Sequence, residues 1–384
     1  MIARLKFIYG WILFYRRFYF FKKDLRRGIK TLDLVCFFPF YHTGGAEKVH
    51  LDICNSFQGK KVIVFFTEKS ANSHYLSAFK KLNLVFVLAD VFHNNRSKQL
   101  LESYIVKKFK KVDRSIFGCH SKLFYNVCKS NIASKTKVDL IHAFTNKNER
   151  GFEKISVDYL QFIDQRVTIS EKTKNDLINQ YQELGKSEFD NRINVIYNSV
   201  DKGPDLCNKD FSKLKVLFVG RASFEKRVQI VGKIATSLNL PEVEFHLIGD
   251  GVEELINEED RALCTFHGNI TSKLELNAIY KEAHIILITS FREGIPVVVQ
   301  EAMKYGVIPI CTDVGGISEL QHVKLVELIE DEDRQAELFV NQLKPIINSI
   351  AETESLSDQI FSDTKPMFTV TEFRNQYRKA LRIN

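Results

Sequence analysis

The chain has 384 residues, of which 45% are hydrophobic, and this length suits two domains with sizeable cores better than one. Residues 1–30 carry the whole net charge of +8, because they hold nine of the 55 basic residues and one of the 47 acidic residues. A nucleic-acid-binding protein more often carries its basic surface on the folded domain, so the charge distribution argues against that class. Seven scattered cysteines without a C-x-x-C pair predict a reduced protein with no disulfide framework.

Residues 1–30 predict a segment that lies on a membrane. Nine aromatic residues, including Trp11, are mixed with the basic ones, which suits the headgroup layer of an anionic bilayer. The longest uncharged run, residues 7–15, is too short to span a bilayer. A helix that packs on the protein's own surface or on a partner remains the alternative. A second basic helix is predicted over residues 97–114. Its basic residues are best interpreted as a face exposed to solvent, and a further membrane contact is the alternative.

Strands and helices alternate through the first half of the chain. This alternation predicts a parallel sheet in a doubly wound domain over residues 31–200. The predicted strands are residues 32–38, 61–67, 82–90, 115–120, 138–144 and 166–170.

Two features of this half occur where predicted strands end. Gly44 and Gly45 separate the first strand from a helix that begins at about Ala46, and a glycine pair lets the backbone approach a ligand closely. His120 and His142 each follow a predicted strand. A histidine in that place is usually structural, but a polar loop over residues 145–151 follows His142 and favours it over His120.

The second half repeats the alternation and predicts a second doubly wound domain over residues 201–365. The domain boundary is expected at residues 201–213. A helix over residues 335–350 is expected to break at Pro345. Residues 366–384 predict a final helix with Phe373, Tyr377 and Leu381 on one face. The predicted strands are residues 215–220, 243–251, 264–270, 284–290 and 307–314.

Two cations follow the first strand of this second domain. Arg221 comes directly after residues 215–220, and Lys226 stands five residues later, at the predicted start of a helix. Two cations beside a helix N-terminus can neutralise a diphosphate and the charge that grows on it as a leaving group. The alternative is a pair of ordinary surface cations.

Two acids eight residues apart mark the most informative stretch, residues 290–320. Glu293 is predicted in the loop after strand 284–290, and Glu301 on the second turn of a helix over residues 296–305. Between them lie the free N–H groups of a helix N-terminus, which suit an anion. Acids for hydroxyls and N–H groups for phosphates favour a sugar nucleotide as the ligand. An ordinary strand–helix unit with surface acids is the alternative.

This stretch resembles the signature of family 4 of the retaining glycosyltransferases, which are two-domain enzymes of the GT-B fold. The family's pattern is an acid, seven residues, a second acid followed by Ala-Met, then a glycine pair and a third acid. Its Gly-Gly-x-Glu loop and its Gly-Arg then Lys pattern also occur in this sequence. The matching residues are Glu293, Glu301-Ala302-Met303, Gly315-Gly316, Glu319, Gly44-Gly45, Glu47, Gly220-Arg221 and Lys226.

The resemblance implies an α/β protein of two doubly wound, Rossmann-like domains that face a cleft. Residues 31–200 would form the acceptor side and residues 201–365 the side that binds the donor nucleotide. Residues 366–384 would cross back onto the first domain.

The resemblance also implies a role for each matching residue. Arg221 and Lys226 would bind the donor diphosphate, while Glu301 would hold the ribose hydroxyls. Glu293 would hold the hydroxyls of the donor sugar, and His142 would lie near the transferred sugar. The loop at Gly268 would hold the base, and Gly44 and Gly45 would approach the phosphates. The positions implied to bind the donor through their backbone are Gly44, Gly45, Gly268, Gly294, Ile295, Pro296 and Val297.

The implied reaction transfers a sugar from a nucleotide diphosphate sugar, with UDP or GDP as the expected nucleotide, to a hydroxyl with retention. The resemblance implies no metal and no further cofactor. The sequence has no histidine cluster to hold a metal, and its Asp-x-Asp run, Asp331-Glu332-Asp333, is expected on the surface. Residues 1–30 favour a saccharide or lipid-linked saccharide acceptor at the inner face of a bacterial membrane, in surface polysaccharide or lipopolysaccharide biosynthesis. The protein is therefore expected to be cytoplasmic and peripheral at that membrane. A nucleotide-sugar 2-epimerase of the same fold and a non-enzymatic, membrane-attached scaffold are the alternatives.

Overall fold

The computed structural model describes residues 2–144, 151–204, 208–364 and 369–383, with residues 2–5 described by their backbone alone. Most of the polar loop after His142, part of the predicted domain boundary and the start of the predicted final helix lie outside the described residues. The chain forms two compact units. The first contains residues 1–168, 174–196 and 371–384, and the second contains residues 169–173 and 197–370.

The described helices vary from one turn to eight turns. They are α1 (Ile2–Lys30), α2 (Gly45–Asn55), α3 (Leu76–Leu82), α4 (Asn95–Phe109), α5 (Lys122–Ser130), α6 (Phe152–Ile155), α7 (Glu171–Glu183), α8 (Gln229–Leu238), α9 (Glu258–Arg261), α10 (Lys273–Glu282), α11 (Val297–Met303), α12 (Glu332–Asn348), α13 (Ile350–Thr364) and α14 (Val370–Ala380).

The first unit is built on a parallel sheet whose strand order is β3-β2-β1-β4-β5-β6-β7. Its strands are short apolar runs such as LVCFF, in which every residue is buried, as expected for a sheet covered on both faces. The strands are β1 (Leu34–Phe38), β2 (Val62–Phe66), β3 (Leu84–Val87), β4 (Ser115–Cys119), β5 (Thr136–Ile141), β6 (Gln165–Thr168) and β7 (Ile193–Val195).

The second unit has its own parallel sheet, with the strand order β10-β9-β8-β11-β12-β13. The two parallel sheets and their helices confirm the predicted α/β class with two doubly wound, Rossmann-like domains. The strands are β8 (Leu214–Val219), β9 (Val243–Ile248), β10 (Cys264–Phe266), β11 (Ile285–Ile288), β12 (Ile308–Thr312) and β13 (Lys324–Val326).

Each sheet has one place where the strand order reverses. In the first unit the chain runs outward through β1, β2 and β3 and then returns to the other side of β1 with β4. In the second unit the same reversal separates β8 from β11. Open α/β sheets bind ligands beyond the carboxyl ends of the strands at such a switch point. The fold therefore directs attention to the residues that follow β1, β4, β8 and β11.

Helix α1 packs along the first unit through one face. Phe14, Phe21 and Leu25 are at most 4% exposed, and the Phe21 ring centroid lies 5.0 Å from that of Phe86. Gly28 permits this close approach, because a Cβ there would lie 2.6 Å from a methyl carbon of Leu84. Helix α1 therefore packs on the protein's own surface through one face, which was the alternative that the sequence left open.

The opposite face of α1 is apolar and exposed. No helix within the described ranges is both long and apolar enough to cross a bilayer. Seven large hydrophobic side chains of α1 are nevertheless between 47% and 62% exposed, and they are Phe7, Ile8, Tyr9, Ile12, Tyr15, Tyr19 and Phe20.

A completely buried ion pair joins β5 and β6. Arg166 Nη2 lies 2.6 Å from Asp139 Oδ2, and neither side chain is more than 2% exposed. The Tyr125 hydroxyl donates to the same carboxylate at 3.0 Å, and Arg166 also donates to the Ser156 hydroxyl at 2.7 Å. The Arg166 guanidinium is therefore stabilised by partners that are themselves buried in the core.

The carboxyl-terminal part of the chain corrects one prediction. The expected break at Pro345 is wrong, because α12 continues through it to Asn348. Leu343 and Ile346 on either side of the proline are buried, and their packing offsets the one hydrogen bond that proline removes near a helix end. In α14 the predicted face is confirmed, since Phe373, Tyr377 and Leu381 are all buried.

Candidate functional site

Three glycines stand where the neighbouring strands β8, β9 and β10 end in the second unit. The Gly249 N–H donates to the Gly268 carbonyl at 2.8 Å, and a Cβ at Gly249 would lie 1.7 Å from the Gly220 carbonyl oxygen. Gly268 has a φ of +63°, and the position of a Cβ there is open space. These strand ends therefore present closely packed backbone with little side-chain cover.

The two predicted cations follow β8 at the switch point. Arg221 comes directly after Gly220 and is exposed. Lys226 ends a short 3₁₀ turn, three residues before α8 begins, and its Nζ lies 2.5 Å from Glu293 Oε1. The structure thus brings Lys226 against an acid 67 residues further along the chain.

Glu293 lies in the loop after β11, and its carboxylate is only 11% exposed. The Ser290 hydroxyl donates to Glu293 Oε1 at 2.6 Å. The Thr289 hydroxyl donates to the Lys226 carbonyl at 2.9 Å, which links the loop after β11 to the loop after β8. The acid and the lysine are therefore held together on both sides of the switch point, where the fold predicts a ligand.

The glycine pair after β12 supports this loop. Gly315 has a φ of +61°, and a Cβ there would lie 2.0 Å from the Glu293 carbonyl oxygen. The Gly316 N–H donates to the Gly294 carbonyl at 2.9 Å. The pair is thus explained by the close approach of two backbones, which places Glu293 and Gly294.

Glu301 lies on α11, as the sequence predicts, although the helix is shorter than expected and begins after Pro296. Its carboxylate is close to the buried Tyr280, and burial together with this carboxylate raises the pKa of the tyrosine. The side chains of Ile295 and Val297 are buried, so this segment can offer a ligand mainly its backbone.

Glu319, the third acid of the pattern, is engaged within the second unit. Its carboxylate accepts from the backbone N–H groups of Glu171 and Lys172, at 2.9 and 2.7 Å, and from the Tyr197 hydroxyl at 2.9 Å. Burial and this hydrogen bond raise the pKa of Tyr197. These contacts favour a structural role for Glu319.

Arg227 is part of the site region, although no sequence pattern pointed to it. Its backbone is left-handed, with a φ of +47°, and its guanidinium lies 4.2 Å from the Phe291 ring centroid. It also donates to the Gln335 side chain at 3.2 Å. In the sequence, Arg227 looks like one more surface cation next to Lys226. In the structure it is buried, and its contacts hold the end of the turn that carries Lys226.

In the first unit, the Gly44-Gly45 loop follows β1. A Cβ at Gly44 would lie 2.1 Å from a Glu47 carboxylate oxygen, whereas Gly45 has open space beside its α-carbon. Glu47 is buried, and its Oε1 lies 3.3 Å from His42 Nε2. A Cβ at position 44 would therefore collide with the Glu47 carboxylate, so glycine is required there. At Gly45 the space beside the backbone is open.

His142 directly follows β5, and its Nε2 lies 3.1 Å from His50 Nε2. Burial, with a smaller contribution from His120, lowers the pKa of His142 to about 3. His142 is therefore a neutral imidazole at neutral pH. The sequence did not predict His50 as its partner, because a histidine inside an amphipathic helix such as α2 gives no separate signal.

Comparison with known proteins connects this geometry to a family. Residues 208–359 match the family model described as Glycosyl transferases group 1. The second unit carries a glycosyl transferases group 1 domain. That part of the predicted resemblance is confirmed, while membership of family 4 and retention stay predictions.

The curated relatives match about a third of this chain. The Escherichia coli O-antigen biosynthesis glycosyltransferase WbnH is 30% identical over 145 residues, which cover 37% of this chain and 41% of WbnH. A 41.2 kDa protein in the cps region of Klebsiella pneumoniae is 29% identical over 140 residues, which cover 34% of this chain and 39% of that protein. The chain thus spans about two fifths of the length of the curated relatives it matches.

Solved structures resemble nearly the whole chain. HepE from Anabaena, solved with UDP, has a TM-score of 0.70 at 17% identity, covering 91% of this chain and 100% of HepE. The same protein solved with UDP-glucose has a TM-score of 0.67 at 18% identity, covering 91% and 99%. Together with the two Rossmann-like units, this likeness establishes the predicted GT-B fold.

Proposed function

We propose that this protein is a glycosyltransferase that moves a sugar from a nucleotide diphosphate sugar to a hydroxyl, with retention at the anomeric carbon. The observation that carries the proposal is the Lys226–Glu293 pair at the switch point of the glycosyl transferases group 1 domain. The pair places a cation that can bind phosphate next to a carboxylate that can accept hydrogen bonds from hydroxyls. Both lie at the edge of the sheet where open α/β sheets bind ligands.

The pair also suggests how a donor is bound. The Lys226 ammonium group pairs with the Glu293 carboxylate. A diphosphate would take over the ammonium group, with the exposed Arg221 beside it, because phosphate oxygens accept strong charge-assisted hydrogen bonds. The freed Glu293 carboxylate would then accept hydrogen bonds from hydroxyls of the donor sugar. Glu301 would hold the ribose hydroxyls.

The backbone at the strand ends supports the rest of the nucleotide. At Gly268, after β10, the space that a Cβ would take is open, so a base can lie against the backbone there. The backbone of residues 294–297 is proposed to contribute N–H groups to the donor, while the approach of Gly44 and Gly45 to the phosphates stays a prediction. UDP is the nucleotide that we favour over GDP, since HepE was solved with UDP and with UDP-glucose.

The chemistry follows from the growing charge on the leaving group. The bond between the anomeric carbon and the donor phosphate oxygen breaks, and the bond to the acceptor oxygen forms on the same face of the sugar. The acceptor proton passes to the leaving phosphate. Lys226 and Arg221 stabilise the diphosphate charge in that step, as preorganised cations do. Because these two cations can carry the charge, we propose that transfer requires no metal, and the place of His142 beside the sugar stays a prediction.

We propose a saccharide, and specifically a lipid-linked one, as the acceptor, in surface polysaccharide or lipopolysaccharide assembly at the inner face of the membrane. WbnH is named for O-antigen biosynthesis, and α1 presents seven exposed apolar and aromatic side chains on a basic helix. Each basic residue near an anionic surface contributes about 1 kcal/mol of binding. Residues 1–30 would thus rest on the bilayer while their other face packs on the first unit.

The test measures donor binding and hydrolysis with purified protein and a panel of UDP-, GDP-, ADP- and CMP-sugars, without added metal. Lys226→Ala should weaken binding of the preferred donor about 10- to 150-fold, as loss of a charge-assisted hydrogen bond of ~1.5–3 kcal/mol predicts. Glu293→Gln should keep nucleotide binding and lose turnover of the sugar. Lys233→Ala is the matched control, because Lys233 also pairs with a carboxylate at 2.5 Å and is 26% exposed, against 25% for Lys226.

The alternatives predict different products. A 2-epimerase would interconvert the sugar without releasing the nucleotide. A scaffold would bind the donor and neither hydrolyse nor transfer the sugar with any saccharide acceptor. Absence of binding to every nucleotide sugar, or equal losses for Lys226→Ala and Lys233→Ala, would show that the site is assigned to the wrong residues.

A further inference from the structure

A second cluster of reactive side chains lies at the switch point of the first unit. His50 stands on α2 after β1, Cys119 ends β4, and His142 directly follows β5. Strands β1, β4 and β5 are neighbours in the sheet, so their carboxyl ends bring the three side chains to one edge. One ligand atom from each residue lies within 4.8 Å of the other two. His50 and Cys119 have no role in the proposed donor site, whose cations and acids belong to the second unit. His142 is the residue that the cluster shares with the prediction of a histidine near the transferred sugar.

We propose that His50, Cys119 and His142 form a binding site for a thiophilic divalent cation of the Zn²⁺ class. Imidazole nitrogen and thiolate sulfur are both ligands that zinc takes in proteins. Tetrahedral zinc, with bonds of ~2.0–2.1 Å to nitrogen and ~2.3 Å to sulfur, places its ligand atoms roughly 3.3–3.6 Å apart. The two histidine nitrogens, at 3.1 Å, are already close to that spacing, and the Cys119 sulfur, within 4.8 Å of a nitrogen of each ring, needs to move closer.

The surroundings hold these ligands in place. The His50 ring stacks on Phe38, with centroids 4.2 Å apart and an angle of 12° between the planes. His50 Nδ1 is buried and has no hydrogen-bond partner among the described residues, so packing orients the ring. The Nε2 of His50 faces the Nε2 of His142 at 3.1 Å, so a cation that binds there replaces the hydrogen bond between the two rings.

Cation binding is balanced by the loss of one proton. It forms the metal–sulfur bond, breaks the Cys119 S–H bond and releases that proton to water, as thiol ligands do, while each neutral imidazole offers one nitrogen lone pair.

Three protein ligands leave the fourth position of a tetrahedral site open. The His120 ring centroid lies 5.8 Å from that of His142, and His120 itself stacks on Phe152 at 5.2 Å. A water molecule can fill the open position. The competing interpretation is a plain hydrogen bond in which one imidazole donates to the other and Cys119 is an inert core thiol.

The experiment uses the full chain, freed of metal with a chelator and then titrated with Zn²⁺ or Co²⁺. We expect one cation per chain and, with Co²⁺, the near-ultraviolet charge-transfer absorption of a thiolate–cobalt bond. Cys119→Ala should remove that absorption and weaken zinc binding by at least about tenfold. Cys128→Ala is the matched control, because Cys128 is equally buried in the same unit and lies on α5.

The wild-type spectrum alone can overturn the proposal, so a variant that fails to fold does not leave it open. Cobalt bound without a thiolate band would exclude Cys119 as a ligand. Zinc binding that Cys119→Ala and His50→Gln both leave unchanged would place the cation elsewhere on the protein. Loss of donor binding in Lys226→Ala has no bearing on these outcomes, because the cluster lies within the first unit.

Discussion

The buried pair of Asp139 and Arg166 allows a stability prediction that does not depend on any functional assignment. In Asp139→Asn the side chain keeps its shape and loses its charge, which leaves the Arg166 guanidinium buried without a counter-ion. Breaking a buried pair from one side costs ~3–5 kcal/mol. For a unit of this size ~1 kcal/mol corresponds to about 2–4 °C in Tm, so the first unit should melt roughly 6–20 °C earlier.

The chain provides a probe for this unit. Trp11 is the single tryptophan, and its ring centroid lies 5.1 Å from that of His93 within the first unit. Urea unfolding followed by tryptophan fluorescence therefore reports on the first unit, while circular dichroism reports on both. The control is Glu68→Gln, which removes the partner of Lys98 from an ion pair of 2.9 Å whose carboxylate is 50% exposed. That change should cost at most ~1 kcal/mol.

A double variant tests the reasoning further. Replacing both partners, as in Asp139→Leu with Arg166→Met, removes the uncompensated charge and should recover most of the stability that Asp139→Asn loses. If Asp139→Asn costs no more than Glu68→Gln, the argument from burial is refuted. If the double variant is worse than the single one, the hydrogen bonds from Tyr125 and to Ser156 matter more than the charge.

Two further predictions concern the second unit. Gly315→Ala should destabilise the loop at Glu293 and weaken donor binding, because the new Cβ would lie 2.0 Å from a carbonyl oxygen. Gly185→Ala is the control, because Gly185 has a φ of +64° and open space beside it. That variant should lose only the ~1–2 kcal/mol of stability that a left-handed backbone costs a residue with a Cβ. Thermal melts and donor titrations of both variants separate the clash from the backbone cost. Burial, with Lys209 and Lys215 nearby, lowers the pKa of His284 to about 4, and its Nδ1 accepts from the Lys215 N–H at 3.0 Å. Since the unfolded chain takes up this proton below about pH 6.5, stability should fall by ~1.4 kcal/mol per pH unit from there to about pH 4, and His284→Asn should flatten that slope in urea titrations.

Most of the fold could be predicted because parallel strands buried on both faces are short apolar runs. The predicted strand at residues 215–220 is β8, and that at residues 284–290 contains β11, each within a few residues. The predicted helix ends were less accurate. Helix α11 is shorter than expected. Helix α12 continues through Pro345, because packing of the neighbouring side chains offsets the hydrogen bond that the proline removes, whereas helix propensity alone predicts a break.

The candidate site could be predicted only in part. Glu293 and Lys226 were identified by a family pattern, but no spacing rule brings together two residues from loops 67 positions apart. Within the cluster of His50, Cys119 and His142, the sequence pointed only to His142, because His50 belongs to a helix and Cys119 to a core strand. Only the strand order, which places β1, β4 and β5 side by side, makes these three residues neighbours.

The packing of α1 has a practical consequence for protein production. A truncated protein that starts at residue 31 would remove Phe14, Phe21 and Leu25 from the core, at ~1.5–3 kcal/mol each. The summed loss, about 5–9 kcal/mol, is comparable with the entire stability of many domains, at about 5–15 kcal/mol. Polar substitutions on the outward face, such as Tyr15→Ser and Tyr19→Ser, would improve solubility and keep the fold. A bilayer that binds this face would hold the first unit in one fixed orientation, since no flexible linker separates the helix from the sheet it packs on.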